Sequence, residues 1–156
     1  MKLIGSPTIH PFFFYTGKLA GYTTWILLPL SVVKGYPTDT QPDYLLATSC
    51  IFLVIGLIIS GISLYDLGAS TRIGLPTDQT SLKISGLYQF SRNPMYVGFH
   101  FMTLAAVLYI HTWFVLGLGT YCFVIYHRII LQEEHFLRKT FGDTFVAYEK
   151  KVRRYL

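Results

Sequence analysis

The sequence predicts an all-α membrane protein with about four transmembrane helices, the last two forming a helical hairpin that is followed by an amphipathic helical C-terminal tail. Of its 156 residues, 52% are hydrophobic and only 13% are charged, whereas an ordinary soluble domain carries about 25% charged residues. The uncharged residues are also collected into stretches long enough to cross a bilayer. The length allows one domain, covering residues 1–156.

The first two predicted spans cover residues 12–34 and 44–65. The second is the clearer one, because its 22 residues contain no Asp, Glu, Lys or Arg and would form a helix about 33 Å long. The first contains an uncharged stretch between Lys18 and Lys34, and Pro29 within it predicts a kink. A short polar loop is expected to join the two spans.

The predicted hairpin covers residues 95–126, a stretch of 32 positions without a formal charge. One straight helix of this length would measure about 48 Å, which exceeds a hydrocarbon core of about 30 Å. His111, Thr112 and Trp113 offer a turn near the middle of the stretch, and Trp113 suits a membrane interface. We therefore expect two helices of about 15 residues each, joined at this turn.

After Tyr126 the chain becomes polar, but apolar residues continue at near-helical spacing. Gly142 and Asp143 are typical of a helix end followed by a new helix start, so two amphipathic helical pieces are expected. Seven Lys and Arg lie in this tail and three in the loop 66–94, against one in the first loop. Because basic segments stay on the cytoplasmic side, both termini are predicted to be cytoplasmic, and the net charge of +5 reflects topology and no nucleic-acid partner.

A first polar cluster, residues 85–98, leads into the hairpin. Asn93 is a favourable N-cap residue, and Pro94 suits the first position of a helix. Such a helix start presents backbone N–H groups that, together with Arg92, could hold a carboxylate or a phosphate. Alternatively, Arg92 only extends towards the membrane interface ahead of a well-capped helix.

A second polar cluster follows the hairpin, where Glu133 and Glu134 point about 100° apart on a helix. Glu134 has Arg138 four residues later, which predicts an ordinary surface ion pair. Glu133 has no such partner, so it is a candidate for binding a cation or a hydroxyl group. His100 either faces a polar cavity or hydrogen-bonds to another helix. No metal site is expected from the spacing of His, Cys, Asp and Glu.

Together the two clusters resemble the signature of the integral-membrane methyltransferases that include isoprenylcysteine carboxyl methyltransferases and phospholipid (phosphatidylethanolamine) N-methyltransferases. That signature has Gly-x-Tyr-x-x-x-Arg-His/Asn-Pro-x-Tyr-x-Gly, a helical hairpin, Glu-Glu, and an aromatic and basic tail. The match covers residues from about 85 to 156, with Asn93 standing where part of the family has His. A Gly-x-Gly element of the phospholipid enzymes is not clearly present near Asp66. The matching residues are Gly86, Tyr88, Arg92, Asn93, Pro94, Tyr96, Gly98, Glu133, Glu134, Phe141, Gly142, Phe145, Tyr148, Val152 and Arg154.

The resemblance implies S-adenosylmethionine as methyl donor and S-adenosylhomocysteine as product. The donor would occupy a pocket at the cytoplasmic face, closed by the C-terminal tail, within the half of the chain from about 85 to 156. The acceptor would be a membrane lipid or another membrane-partitioned molecule, with no metal required. The resemblance implies catalytic roles for Arg92 and Glu133, and cofactor-binding roles for Tyr88, Arg92, Asn93, Pro94, Tyr96, Gly98, His100, Glu133 and Glu134.

Two other functions fit parts of the sequence. Membrane sterol reductases, which use a reduced nicotinamide cofactor, have a related C-terminal arrangement but are much longer chains. A non-catalytic membrane protein with an interfacial anchor would also show an amphipathic tail. Binding of S-adenosylhomocysteine or of the nicotinamide cofactor would distinguish these alternatives from a methyltransferase.

Overall fold

A computed structural model describes residues 7–35, 42–68 and 82–156. These residues form four α-helices and one short 3-10 helix, Gly86–Gln89, which confirms the predicted all-α class. Helices α1 and α2 begin and end within two residues of the first two predicted spans. The helices are α1 (Pro11–Val33), α2 (Asp43–Leu67), α3 (Pro94–Ile110) and α4 (Trp113–Lys151).

Within the described part of the chain, α2 and α4 are long and apolar enough to cross a membrane, and α3 is a shorter apolar helix of 17 residues. Helix α1 has 23 residues and continues through Pro29. The membrane character predicted from composition is therefore supported by two of the helices. The number of spans and the side on which each terminus lies remain predictions.

The turn of the hairpin lies where the sequence predicts it. Helix α3 ends at Ile110, His111 adopts a left-handed backbone conformation with φ of 49°, and Thr112 precedes the first residue of α4. The Thr112 side chain accepts a hydrogen bond from the Val115 backbone N–H at 3.4 Å, which satisfies one of the free donors at the start of a helix.

The helix that contains the last predicted span does not end near Tyr126, because α4 continues into the polar tail. No Gly or Pro interrupts residues 127–141, so nothing in the sequence stops the helix there. The backbone leaves the helical conformation at Gly142, with φ of 51° and ψ of −127°, and then resumes to Lys151. The predicted break at Gly142 is confirmed, but the first amphipathic piece is an extension of α4.

Small residues bring α2 and α3 into close contact. A side chain at Gly98 would overlap the Ser60 side chain and the Gly56 carbonyl group. The Ser49 hydroxyl donates to the backbone carbonyl of Ala105 at 2.8 Å. Small residues of this kind let membrane helices approach closely. The buried residues of α2 are Ser49, Gly56, Ser60 and Ser63.

The end of α2 is hydrogen-bonded to the segment that precedes α3. Asp66 belongs to the last turn of α2 and not to the predicted polar loop 66–94. Its Oδ2 accepts a hydrogen bond from the Leu87 backbone N–H at 2.9 Å. Gly86 has φ of 63°, and a side chain there would collide with Asp66, so glycine is required. Residues 36–41 and 69–81 of the predicted loops lie outside the described residues.

Candidate functional site

A buried carboxylate, that of Glu134 on α4, lies at the centre of the site. It accepts hydrogen bonds from Arg92 (Nε–Oε1 3.0 Å and Nη2–Oε2 3.2 Å), from Arg154 (Nε–Oε2 2.9 Å) and from the Asn93 side-chain amide (Nδ2–Oε1 3.0 Å). Only 5% of Glu134 is exposed. The predicted surface pair of Glu134 with Arg138 is wrong, because Arg138 instead forms an ion pair with Glu149.

Glu134 lies beyond the largely apolar first part of α4, residues 113–130. Burial alone would raise the pKa of its carboxyl group, but the hydrogen bonds and charges of Arg92 and Arg154 hold that pKa below its usual value. The carboxylate therefore stays ionised at neutral pH. A buried acid with this many partners stabilises the arrangement of the groups around it.

The C-terminal tail runs beside the segment that precedes α3. The Arg92 backbone N–H donates to the Arg153 carbonyl at 2.9 Å, and the Ser91 hydroxyl donates to the Arg154 carbonyl at 3.3 Å. The Arg92 guanidinium also donates to the carbonyl groups of Val152 and Glu149, at 2.7 and 3.2 Å. Arg92 therefore makes its strong contacts within the protein, to α4 and to the tail.

Asn93 and Pro94 lie at the first positions of α3, as predicted. The Asn93 side chain, however, does not cap the helix. Its amide donates to Glu134 and to the Arg154 carbonyl, at 3.0 and 3.2 Å. The expectation of a side-chain cap is wrong because the buried carboxylate and the tail carbonyl occupy the amide donors.

Two buried tyrosines join the second part of α4 to the 3-10 helix. The Tyr148 hydroxyl donates to the Tyr88 backbone carbonyl at 2.6 Å, and both residues are buried. Burial raises the pKa of Tyr148 to about 12, so the hydroxyl remains a hydrogen-bond donor at neutral pH. The segment before α3, the Glu133–Glu134 pair and the tail are the three parts of the motif. They are far apart in the sequence and meet in one place.

Glu133, next to Glu134, belongs to a different set of contacts. Its Oε1 accepts a hydrogen bond from the Tyr96 hydroxyl of α3 at 2.9 Å. Burial raises the pKa of Glu133 to about 7, although the Tyr96 hydroxyl and the Lys18 ammonium of α1 oppose that rise. From the sequence, Lys18 was identified only as the edge of the uncharged stretch within the first predicted span. A lysine within an apolar helix was the signal that could have identified it.

His100 lies one turn after Tyr96 on α3 and stacks on Phe123, with ring centroids 4.2 Å apart and an interplanar angle of 12°. Its Nδ1 atom is buried and has no hydrogen-bond partner among the described residues. Nearby, His127 Nδ1 lies 2.6 Å from the Tyr155 hydroxyl. A buried polar atom of this kind often marks a place for water or a ligand.

The structure brings most of the predicted site residues into two neighbouring sets. Arg92 and Asn93 contact Glu134, and Tyr96 contacts Glu133. Gly98 belongs to neither set. It packs against α2, and this close helix contact explains why the position has no side chain. The roles of all the predicted site residues in binding a cofactor remain predictions.

These features define an all-helical protein with apolar, membrane-type helices and a buried acid–base cluster where the hairpin meets the tail. A model of the phospholipid methyltransferase family matches residues 44–144, about two thirds of the chain. The chain belongs to this family, which confirms the resemblance drawn from its motifs.

Among curated proteins, the chain is 24% identical over 138 residues to a protein-S-isoprenylcysteine O-methyltransferase of Xenopus laevis. The alignment covers 86% of this chain and 48% of that protein, so the chain spans about half the length of this curated relative. No solved structure matches the chain.

Proposed function

We propose that the protein is a membrane methyltransferase that uses S-adenosylmethionine and acts on a lipidic or membrane-partitioned acceptor. Membership of the phospholipid methyltransferase family and the similarity to an isoprenylcysteine O-methyltransferase support the class of reaction. The observation that carries the proposal is the carboxylate of Glu133, which is partly buried beside the Arg92–Glu134 cluster and bonded to a tyrosine hydroxyl.

The described residues fit the chemistry of this donor. S-adenosylmethionine carries an ammonium group and ribose hydroxyl groups, for which Glu133 is a suitable partner. Its adenine needs an aromatic surface and a hydrogen-bond partner. The ring of His100 is the candidate surface, and its Nδ1, which has no partner among the described residues, is the candidate hydrogen-bond partner. The start of α3 at Asn93 and Pro94 is the candidate site for its carboxylate.

We assign Arg92 a positioning role, which differs from the direct contact that the motif suggests. Its guanidinium already donates to Glu134 and to the carbonyl groups of Glu149 and Val152, and its side chain is 8% exposed. Because these contacts fix the tail against the start of α3, Arg92 would act by shaping the site around Glu133.

When bound, the donor supplies a methyl group carried on a cationic sulfur. The methyl group passes in line to the acceptor nucleophile, and the sulfur leaves as the neutral thioether of S-adenosylhomocysteine. The contribution of the chain is then mainly geometric. Glu133 holds a cationic or hydroxyl group, Tyr96 orients the Glu133 carboxylate, and the docked tail keeps water from the buried side of the cluster. A phospholipid amine and a prenylated cysteine carboxylate are both suitable acceptors in this scheme.

The first experiment measures thermal unfolding of the detergent-solubilised protein with and without S-adenosylhomocysteine. We expect the product to raise the unfolding temperature of the wild type, since a ligand that binds only the folded state stabilises it. The rise should disappear in Glu133→Gln and persist in Asp143→Asn, an exposed acid on the same helix.

Radiolabelled methyl transfer into membrane lipid extracts and into farnesylcysteine then identifies the acceptor. Stabilisation by a reduced nicotinamide cofactor, with no response to S-adenosylhomocysteine, would favour the reductase alternative. No response to either compound would contradict an enzymatic role for this site.

A further inference from the structure

Lys18 is the only charged residue of α1, a helix of 23 residues. A charge within an apolar helix of this kind is costly unless it has a partner. Lys18 is half-buried, and none of the ion pairs formed among the described residues includes it. Its ammonium group lies over the ring of Phe14, 4.4 Å from the ring centroid. This contact attracts a cation but does not occupy its three N–H donors.

The packing of α1 against α4 fixes where this ammonium group lies. A side chain at Gly17 would collide with Ile125, so the two helices are in close contact next to Lys18. The hydroxyl groups of Thr16 and Tyr121 are hydrogen-bonded at 2.7 Å on the same side of α1. Lys18 is therefore held against α4 by contacts that do not involve its own charge.

The side chain of Lys18 is directed towards the part of α4 that carries Glu133. It leans towards the N-terminal end of α1, as helical side chains do, and so reaches Phe14. Phe14 is fully buried in the same apolar core as Tyr96 and Ile129. Ile129 shares a face of α4 with Glu133, which is four residues later. Lys18 and Glu133 thus approach one region from different helices, and the charge of Lys18 opposes the rise in the Glu133 pKa.

The other cations near this region are already paired. Arg92 and Arg154 are both bonded to the Glu134 carboxylate. Glu133 is the proposed partner of the ammonium group of the donor, and it forms no ion pair with Lys18. Within the described part of the chain, Lys18 is thus the cation that no carboxylate pairs with, and a ligand that completes the site should bring it an anionic group.

We propose that Lys18 binds the anionic group of the methyl acceptor, a carboxylate or a phosphodiester, and so holds the nucleophile next to the donor bound at Glu133. The inference rests on the proposed function, because it adds the group that selects the acceptor in the same reaction. In a prenylated cysteine the carboxylate is itself the nucleophile, whereas in phosphatidylethanolamine the phosphodiester lies close to the amine. Both compounds therefore present a negative charge near the atom that accepts the methyl group.

Thermal unfolding of the detergent-solubilised protein, measured in the presence of S-adenosylhomocysteine, tests this role. Farnesylcysteine is compared with its methyl ester, and phosphatidylethanolamine with an alkylethanolamine that lacks the phosphate. In at least one pair, the compound with the carboxylate or the phosphodiester should raise the unfolding temperature of the wild type more than its counterpart does, since a ligand that binds the folded state stabilises it. The dependence of this rise on concentration gives an apparent Kd.

Substitutions of Lys18 then separate charge from size. In Lys18→Met, which keeps the length of the side chain without its charge, the apparent Kd of that compound should rise about tenfold or more. Lys18→Arg should retain most of the affinity, because arginine also binds carboxylates and phosphates. Lys34→Met is the matched control, since Lys34 is exposed at the end of the same helix. If Lys18→Met does not fold, Lys18→Gln gives the same comparison with a polar, uncharged side chain.

The compound whose affinity depends on Lys18 identifies the anion, a carboxylate for farnesylcysteine and a phosphodiester for phosphatidylethanolamine. Equal affinities of Lys18→Met and the wild type for both compounds would overturn the inference, as would a wild type that does not distinguish either compound from its counterpart. The response to S-adenosylhomocysteine alone should be similar in Lys18→Met and the wild type. Its loss in the variant would assign Lys18 to the donor and would also overturn the inference.

The two proposals fail separately. Stabilisation by S-adenosylhomocysteine without any binding that depends on Lys18 contradicts only the role of Lys18. Binding that depends on Lys18, in a wild type that does not respond to S-adenosylhomocysteine, supports an anion site but contradicts its part in methyl transfer.

Discussion

Glu133 and Glu134 are neighbours in the chain, but their carboxylates enter separate hydrogen-bond networks. Glu134 is bonded to Arg92, Arg154 and Asn93, whereas Glu133 accepts its hydrogen bond from Tyr96. Consecutive residues of a helix point about 100° apart, so α4 directs one acid into the tail cluster and the other towards α1 and α3. We infer that Glu134 fixes the fold of the site, and Glu133 is the acid proposed to bind the donor.

Glutamine at the two positions should therefore have different effects. Glu134→Gln leaves two arginines without a buried counter-charge and should cost about 3 kcal/mol of stability. Glu133→Gln keeps the hydrogen bond from Tyr96 and should leave stability nearly unchanged while removing binding of S-adenosylhomocysteine. Thermal unfolding with and without that compound measures both effects. Equal loss of stability in the two variants would contradict this division of roles.

Docking of the tail should depend on the hydroxyl of Tyr148. Tyr148→Phe removes its hydrogen bond to the Tyr88 carbonyl and leaves that carbonyl buried, which should cost about 1–2 kcal/mol. The unfolding temperature should fall by a few degrees, and the tail should be cleaved faster by a protease. Tyr65→Phe is the control, because Tyr65 is 86% exposed. The same result in both variants would show that the hydroxyl is not holding the tail.

The contact between α2 and α3 should not tolerate a methyl group at Gly98. In Gly98→Ala, the new group would meet the Ser60 side chain and the Gly56 carbonyl, and overpacking of this kind costs about 1–3 kcal/mol. Gly117→Ala is the matched control, since a side chain there meets nothing within 4 Å and alanine stabilises a helix by up to about 1 kcal/mol relative to glycine. We expect opposite shifts in unfolding temperature. A stable Gly98→Ala protein that fails to bind S-adenosylhomocysteine would instead favour a direct cofactor role.

Binding of S-adenosylhomocysteine should depend on pH through Glu133. With the pKa of this carboxyl raised to about 7, its ionised fraction falls as the pH is lowered from 8 to 6. Because the ionised form is the one that attracts the ammonium group of the ligand, affinity should fall several-fold over that range. Titration calorimetry at several pH values measures the change, and any weak residual binding by Glu133→Gln should lack this dependence. An equal pH dependence in the variant would assign the titration to another group.

Much of the helical framework could be read from the sequence. Hydropathy located α1 and α2 within two residues, and the length of the uncharged stretch, together with His111–Trp113, located the hairpin turn. These features depend on local composition and on the thickness of a bilayer, which are properties of short segments. The end of the last helix was misplaced because a helix has no need to stop where its residues become polar.

The partners of the site residues were decided only by tertiary structure. The motif identified Arg92, Asn93, Glu133 and Glu134, and family membership supports that selection. Spacing along the helix paired Glu134 with Arg138, but the folded tail brings Arg154 and Arg92 to it instead. A buried carboxylate is bonded by donors that are themselves brought into the protein interior. Here those donors lie 20 and 42 residues away in the sequence. Sequence thus determined which groups are present, and packing determined which of them meet.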